Sequence, residues 1–93
     1  MATATEWHTH LATIALRAAG MLRTDVLANG HDLAVVCRRL LALPVGTPAA
    51  LVDENLRPYV LAVRIMRATL TVPGLPLEIT ERAIAEALTI ALA

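Results

Sequence analysis

The sequence predicts an all-α protein, a compact bundle of four long helices and one short helix. Apolar residues recur at three- and four-residue steps over long stretches, and Pro and Gly residues separate most of these stretches. No stretch alternates polar and apolar residues in the way that a half-buried strand does. We expect the 93 residues to form a single helical domain, 1–93, with residues 1–3 disordered.

The first helix is predicted to begin at Thr3, because Thr3 and Glu6 have the spacing of a capping box. It ends at Asn29 and Gly30, residue types that tolerate the left-handed conformation common at helix ends. Gly20 lies inside the helix, where it allows either the close approach of another helix or a local bend. The predicted apolar stripe consists of Trp7, Leu11, Ile14, Ala18, Leu22 and Val26.

A second helix is predicted over about 32–43. Asp32 suits its positive N-terminal end, and Arg38 and Arg39 lie toward its negative C-terminal end. Pro44 terminates it, because proline has no N–H to continue the helical hydrogen bonding. The predicted buried stripe is Leu33, Val36, Cys37, Leu40 and Leu41.

A loop that contains Pro and Gly follows and leads into the predicted short helix. Thr47 can cap this helix, and Pro48 suits its first position, where a missing N–H is harmless. We predict the short helix over about 48–53, with Leu51 and Val52 as its apolar residues.

The next helix is predicted over about 58–71, because a proline pushes the residue before it, Arg57, away from helical geometry. In an alternative arrangement Asp53 or Asn55 caps the helix and Pro58 lies within its first turn. One apolar stripe consists of Tyr59, Val63, Met66 and Leu70, and a second lies beside it at Leu61 and Ile65. A helix that is apolar nearly all round is central to a bundle or faces another subunit.

The last helix is predicted over about 77–92. Oppositely charged residues follow one another at four-residue steps, so they are expected to pair along its outer face. These residues are Glu78, Arg82 and Glu86. The predicted inner side carries Ile84, Leu88 and Leu92, with alanines beside them that allow close packing.

The composition excludes several kinds of catalytic site. The chain is 57% hydrophobic but has no Ser and no Lys, which rules out a serine nucleophile, a lysine Schiff base and a phosphate-binding loop with its lysine. Its single cysteine, Cys37, cannot form an intrachain disulfide or a multi-cysteine metal site. The richness in Ala, Leu, Val and Arg is what a GC-rich, bacterial genome produces.

The three histidines do not form a recognisable catalytic or metal-binding group. His8 and His10 are two residues apart and point to different faces of a helix, whereas a helical zinc site needs three- or four-residue spacing. His31 stands beside a helix start, where it can contact an anion or a partner. We therefore expect no enzyme activity, no metal and no cofactor.

The sequence predicts neither export nor membrane insertion. The residues before Glu6 contain no basic segment of a secretory signal, and arginines interrupt each apolar run before it is long enough to span a bilayer. The formal net charge is zero, so no overall field attracts anionic lipid or nucleic acid. We expect a cytoplasmic protein with no membrane partner.

Charge is unevenly distributed along the chain. Residues 33–72 contain five arginines against Asp53 and Glu54, whereas residues 73–93 contain three glutamates against Arg82. The acidic last helix can pair with the basic centre either within the monomer or between subunits.

The sequence has more apolar helix faces than one small core needs. This excess predicts a non-catalytic protein–protein interaction or oligomerisation module, which would act as an adaptor or regulatory subunit. Its expected partners are a second copy of the chain, in a homodimer or higher oligomer, another protein, or both. Arg, Tyr and Trp most often anchor interfaces. The candidate interaction surface therefore consists of Trp7, Tyr59, Arg57, Arg64 and Arg67, although the two aromatic residues also suit a buried core position.

The alternative function is a small helix-turn-helix-like DNA-binding regulator. The second helix, the loop around Gly46 and the short helix have the order of that motif. Arg38 and Arg39 form its candidate basic patch. Against this alternative, the segment that would read DNA carries Asp53 and Glu54 and has no arginine before Arg57.

Overall fold

Four α-helices account for most of the computed structural model, which describes residues 3–93. Helix α1 spans Ala4–Ala28, α2 spans Leu33–Ala42, α3 spans Arg57–Leu70 and α4 spans Leu77–Leu92. No β-strand occurs between residues 3 and 93, so the predicted all-α fold class is confirmed. Disorder is predicted for residues 1–3, of which residues 1 and 2 lie outside the described residues and Thr3 is the N-cap of α1.

Helix α1 begins at the predicted capping box. The Thr3 hydroxyl accepts a hydrogen bond from the N–H of Glu6 at 3.2 Å, and the Glu6 carboxylate accepts one from the N–H of Thr3 at 3.3 Å. These bonds satisfy two N–H groups that have no partner within the helix. The helix ends where predicted, with Gly30 in the left-handed region at a φ of 75°.

Helix α1 packs chiefly along α4, and small side chains line the contact. Ala15 and Ala19 on α1, and Ala83 and Ala87 on α4, are buried. Because alanine adds only a methyl group, the helix axes can approach closely at these positions. Helices α2 and α3 each contact both members of this pair, and all four helices contribute to one hydrophobic core.

The predicted stripes of α3 are confirmed as two distinct faces. The first stripe is buried, and it comprises Tyr59, Val63, Met66 and Leu70. The second stripe, Leu61 and Ile65, is exposed. On α2 the prediction is wrong at Leu41, which is exposed because it is turned about 100° from Leu40, the last buried residue of that helix.

The predicted short helix at 48–53 is wrong, because a single 3-10 turn, Ala49–Leu51, occupies this part of the chain. Thr47 does not cap it, since the Thr47 hydroxyl donates to the carbonyl of Pro44 at 2.8 Å. Val52 then adopts extended backbone with its side chain buried in the core. A helix cannot continue through a residue held in that conformation.

Helix α3 begins one residue earlier than predicted, at Arg57, with Pro58 in its first turn. The carbonyl of Asp53 accepts hydrogen bonds from the N–H groups of Leu56 and Arg57, at 2.9 and 3.1 Å. These bonds hold Arg57 in a helical turn, so the expectation that Pro58 excludes it from the helix is wrong. The alternative arrangement is right about Pro58, but the N-cap is Leu56, with no side-chain cap.

The predicted charge pairing along α4 is also wrong. Glu86 instead pairs with His8 on α1, with 2.7 Å between Oε2 and Nε2. Within residues 3–93, neither Glu78 nor Arg82 forms a side-chain hydrogen bond or ion pair. The neighbouring helix α1 offers Glu86 a partner that sequence spacing along α4 does not reveal.

Candidate interaction groove

An apolar groove of about 270 Å³ lies between α1 and α3. Helix α1 contributes Ile14, Ala18, Met21, Leu22 and Asp25, and α3 contributes Ala62, Ile65, Met66, Thr69 and Leu70. Asp25 and Thr69 are the two polar residues of this lining. Such a lining suits the apolar side chains of another helix, because helix-in-groove contacts rely on apolar anchors at helical spacing.

The floor of the groove belongs to the core, whereas its rim is exposed. Leu22 and Met66 are buried, but Met21 is 74% exposed, Ile65 68% and Ile14 38%. Complete burial of a large apolar side chain stabilises it by about 1.5–3 kcal/mol relative to full exposure. A partner that covers the exposed side chains of this rim therefore stabilises the complex through apolar burial that does not occur in the monomer.

The helical period explains why α1 leaves this rim open. The core-facing residues of α1 are Leu11, Ala15, Ala19, Leu22 and Val26. Ile14 and Met21 are seven residues apart and lie on the flank of that stripe that borders α3. The predicted apolar stripe of α1 is therefore only partly buried, since Leu11, Leu22 and Val26 belong to the core whereas Ile14 is exposed.

Two opposite charges flank Met21 on α1. Arg17 precedes it by four residues and Asp25 follows it by four, so the two lie about one turn to either side. Both side chains are exposed, and neither forms a hydrogen bond or ion pair with any residue between 3 and 93. They remain available to a partner.

Two of the predicted interface arginines secure the segment before α3. The Arg57 Nε donates to the carbonyls of Ala49 and Val52, each at 3.1 Å. Arg64 is half-buried, and its guanidinium donates to the carbonyl of Thr47. Backbone acceptors outside regular helices need such partners. Both guanidinium groups are therefore engaged within the monomer.

The third predicted arginine, Arg67, joins α3 to α4. Its Nε donates to one carboxylate oxygen of Glu81, and its Nη2 donates to the other at 3.1 Å. The acidic last helix and the basic centre thus pair within the monomer at this position. The predicted surface formed by Arg57, Arg64 and Arg67 is not available as a set of free charges.

The prediction that Tyr59 lies on an interaction surface is wrong, because Tyr59 is 1% exposed. Its hydroxyl accepts a hydrogen bond from Asn29 Nδ2 at 3.0 Å and lies 2.6 Å from Nδ1 of His31. Since the oxygen already accepts from Asn29, the hydroxyl proton is available to Nδ1 of His31 in the tautomer that leaves this nitrogen without a hydrogen. This bond links the turn after α1 to α3 and occupies His31 inside the molecule.

Trp7 is half-buried near the start of α1. Its ring packs edge-on against His10, with 6.0 Å between the ring centroids. Trp7 belongs to the predicted interaction surface, and its apolar side chain is partly accessible. It does not line the groove between α1 and α3.

Arg38 and Arg39 are exposed on α2, and neither forms a hydrogen bond within the described residues. Both side chains therefore lie on the surface of α2. The helix-turn-helix geometry, however, lacks its second helix, because the 3-10 turn contains only three residues. At the N-terminus of α2 the Asp32 carboxylate accepts a hydrogen bond from the N–H of Val35 at 3.0 Å.

Among residues 3–93, no three His, Cys, Asp or Glu side chains are placed to hold a metal ion. Burial raises the pKa of the Cys37 thiol above its ordinary value of 9.0, and its Sγ donates to the carbonyl of Leu88 at 3.5 Å. A buried neutral thiol is a poor nucleophile.

Sequence reasoning missed Met21 and Asp25 as groove residues. A signal was present in the seven-residue spacing of Trp7, Ile14 and Met21, which is the spacing of an interhelical seam. An ideal helix drifts away from a seven-residue repeat, so this seam separates from the core stripe along α1.

Comparison with models of protein families, with curated proteins and with solved structures finds no match to this chain. Within residues 3–93, none of the helices has the length and apolar character that crossing a bilayer requires.

Proposed function

We propose that this protein is a non-catalytic helical interaction module, and that it associates with a helical partner through the groove between α1 and α3. The supporting observation is the exposure of Met21 on α1 and Ile65 on α3, which both line a groove whose floor is the hydrophobic core. Contiguous apolar patches bordered by polar residues mark sites of protein–protein contact. Such a module serves as an adaptor or regulatory subunit, in the cytoplasm and without a cofactor.

Self-association through the groove can be tested with the purified protein alone. Sedimentation velocity at micromolar concentrations is expected to show a species larger than the monomer. Met21→Glu and Ile65→Glu each place a carboxylate on the groove rim. Dimerisation would then bury this charge without an oppositely charged group beside it, which costs free energy. Both variants are therefore expected to be monomeric.

Ile90→Glu is the matched control, because Ile90 is 60% exposed on α4 and lies outside the groove lining.

A wild-type protein that remains monomeric throughout this range would contradict the proposal. Equal dissociation by Ile90→Glu and by the groove variants would also contradict it, since the effect would then not be specific to the groove. Circular dichroism of each variant establishes that the helices are retained.

DNA binding is the second candidate function, and the exposed and unbonded Arg38 and Arg39 favour it. Binding through phosphate contacts weakens steeply with salt, because counterions are released on association. This candidate predicts retention of a short DNA duplex at low salt, lost in Arg38→Ala/Arg39→Ala and kept in Arg82→Ala. No retention by the wild-type protein at low salt would remove it.

A further inference from the structure

We propose that the occupant of the groove is a second copy of this chain, with the two α1 helices antiparallel and a twofold axis passing beside Met21. This inference rests on the proposed function and adds the identity and orientation of the partner. In this arrangement residue n of one α1 lies opposite residue 42 − n of the other, because Met21 is opposite itself.

The charges of α1 support this arrangement. Arg17 lies opposite the partner subunit's Asp25, and Asp25 lies opposite the partner subunit's Arg17. Residues four apart on a helix differ by about 40° around the axis and about 6 Å along it, so each pair lies at the same height, with its two side chains reaching toward each other from opposite sides of the Met21 contact. Both charges lack a partner between residues 3 and 93 of their own chain, and the twofold axis supplies one for each.

A parallel arrangement with the same contact face has the opposite result. Arg17 would then lie beside the partner's Arg17, and Asp25 beside the partner's Asp25. Like charges in such positions are destabilising and select against the arrangement. The order of charges about Met21 therefore favours the antiparallel pair.

The remaining side chains of the overlap are compatible with this register. Ile14 lies opposite the partner's Ala28, and Ala18 lies opposite the partner's Thr24. The Thr24 hydroxyl already donates to the carbonyl of Gly20 at 3.2 Å, so its donor stays satisfied when Thr24 is covered. Each Met21 enters the groove of the other copy, and the two grooves close each other. An isologous contact of this kind stops at the dimer.

Charge reversal tests the pairing of Arg17 with the partner's Asp25. Arg17→Asp and Asp25→Arg each place like charges opposite one another at two symmetric positions, and each is expected to weaken the homodimer roughly tenfold. An equimolar mixture of the two variants restores opposite charges at both positions and is expected to form a heterodimer of wild-type affinity. The combined variant Arg17→Asp/Asp25→Arg restores the homodimer. Arg82→Asp on α4 is the control and leaves the dimer unchanged.

Disulfide cross-linking tests the position of the twofold axis. Met21→Cys places two thiols on either side of the axis, so oxidation is expected to give a covalent dimer. Ile90→Cys, with a similar exposure on α4, is expected to stay monomeric on a denaturing gel. Cys37 is buried and is present in both proteins, so its contribution is the same in each.

The outcomes separate this inference from the proposed function. Dissociation by Met21→Glu together with indifference to both charge reversals, or cross-linking at Ile90→Cys but not at Met21→Cys, overturns the antiparallel arrangement and leaves the groove as the contact surface. A monomeric wild-type protein overturns both. Loss of the dimer in each single reversal with recovery in their mixture supports the inference.

Discussion

The side chains of Arg67 and Glu81 join α3 to α4 through two parallel hydrogen bonds, donated by Nε and Nη2 of the guanidinium to the two carboxylate oxygens. They are 23% and 26% exposed, so water screens the pair less than it screens an ordinary surface ion pair. The pair bridges two helices that are consecutive in the chain, and it stands beside the loop that connects them.

The Arg67–Glu81 pair is expected to stabilise the fold measurably. Glu81→Gln keeps the shape of the side chain but removes its charge, and we expect it to lower the free energy of unfolding by about 1–2 kcal/mol. Urea denaturation measures the change. Glu78→Gln is the matched control, because Glu78 is exposed on the same helix and makes no side-chain bond within residues 3–93. Equal effects from the two substitutions would show that the pair contributes nothing specific.

Gly20 and Gly30 are expected to respond oppositely to replacement by alanine. Gly20 lies inside α1, and a Cβ there would meet no other atom within 4 Å, so Gly20→Ala should stabilise the protein by about 0.5–1 kcal/mol. Gly30 has a φ of 75°, where an alanine Cβ is strained, so Gly30→Ala should destabilise it by about 1–2 kcal/mol. The thermal midpoints of the two variants give the sign directly. A loss of stability in Gly20→Ala would indicate that a close contact requires the glycine.

The buried hydroxyl of Tyr59 is expected to contribute to stability through Asn29 and His31. Tyr59→Phe keeps the ring in the core but removes the oxygen that both residues contact, and we expect a loss of about 1–2 kcal/mol. A double-mutant cycle with Asn29→Ala, followed by urea denaturation, isolates the bond. Strict additivity of the two losses would rule out a direct interaction between these side chains.

Cys37 is expected to be unreactive in the folded protein. Its thiol is buried and its pKa is raised by burial, so a thiol-specific reagent should label it much faster in denaturant than in buffer. The same shift makes stability depend on pH. The unfolded thiol ionises above pH 9.0 while the folded thiol stays neutral, so this group stabilises the fold below that pH and the contribution is lost as pH rises further. Cys37→Ala should flatten the alkaline fall in unfolding free energy, and an unchanged slope would argue against this origin.

Local signals predicted the helices well. The capping box at Thr3 and the glycine after Asn29 fix the ends of α1 with contacts inside a few residues. The buried stripe of α3 follows from spacing alone, because one face of a helix must enter the core. The short helix failed because Val52 is drawn into the core by residues distant in sequence.

The groove could not be predicted from the sequence, because local spacing does not determine which apolar stripe of α1 enters the core. Two overlapping apolar stripes on α1 differ by a single step around the helix, one through Ile14 and one through Ala15. Packing of the alanines against α4 selects the second and leaves Ile14 and Met21 at the edge. Tyr59 was misplaced for a similar reason, since only the folded chain brings Asn29 and His31 to its hydroxyl.

The packing of α1 against α4 also determines when folding can be completed relative to synthesis of the chain. The most extensive helix contact joins the first and the last helix, and residues 29–76 lie between them. Until α4 has left the ribosome, the part of α1 that α4 covers stays exposed, and contacts of such sequence separation slow folding because a long loop must close first. The chain is therefore expected to carry an exposed, aggregation-prone apolar helix face until α4 emerges and packs against α1.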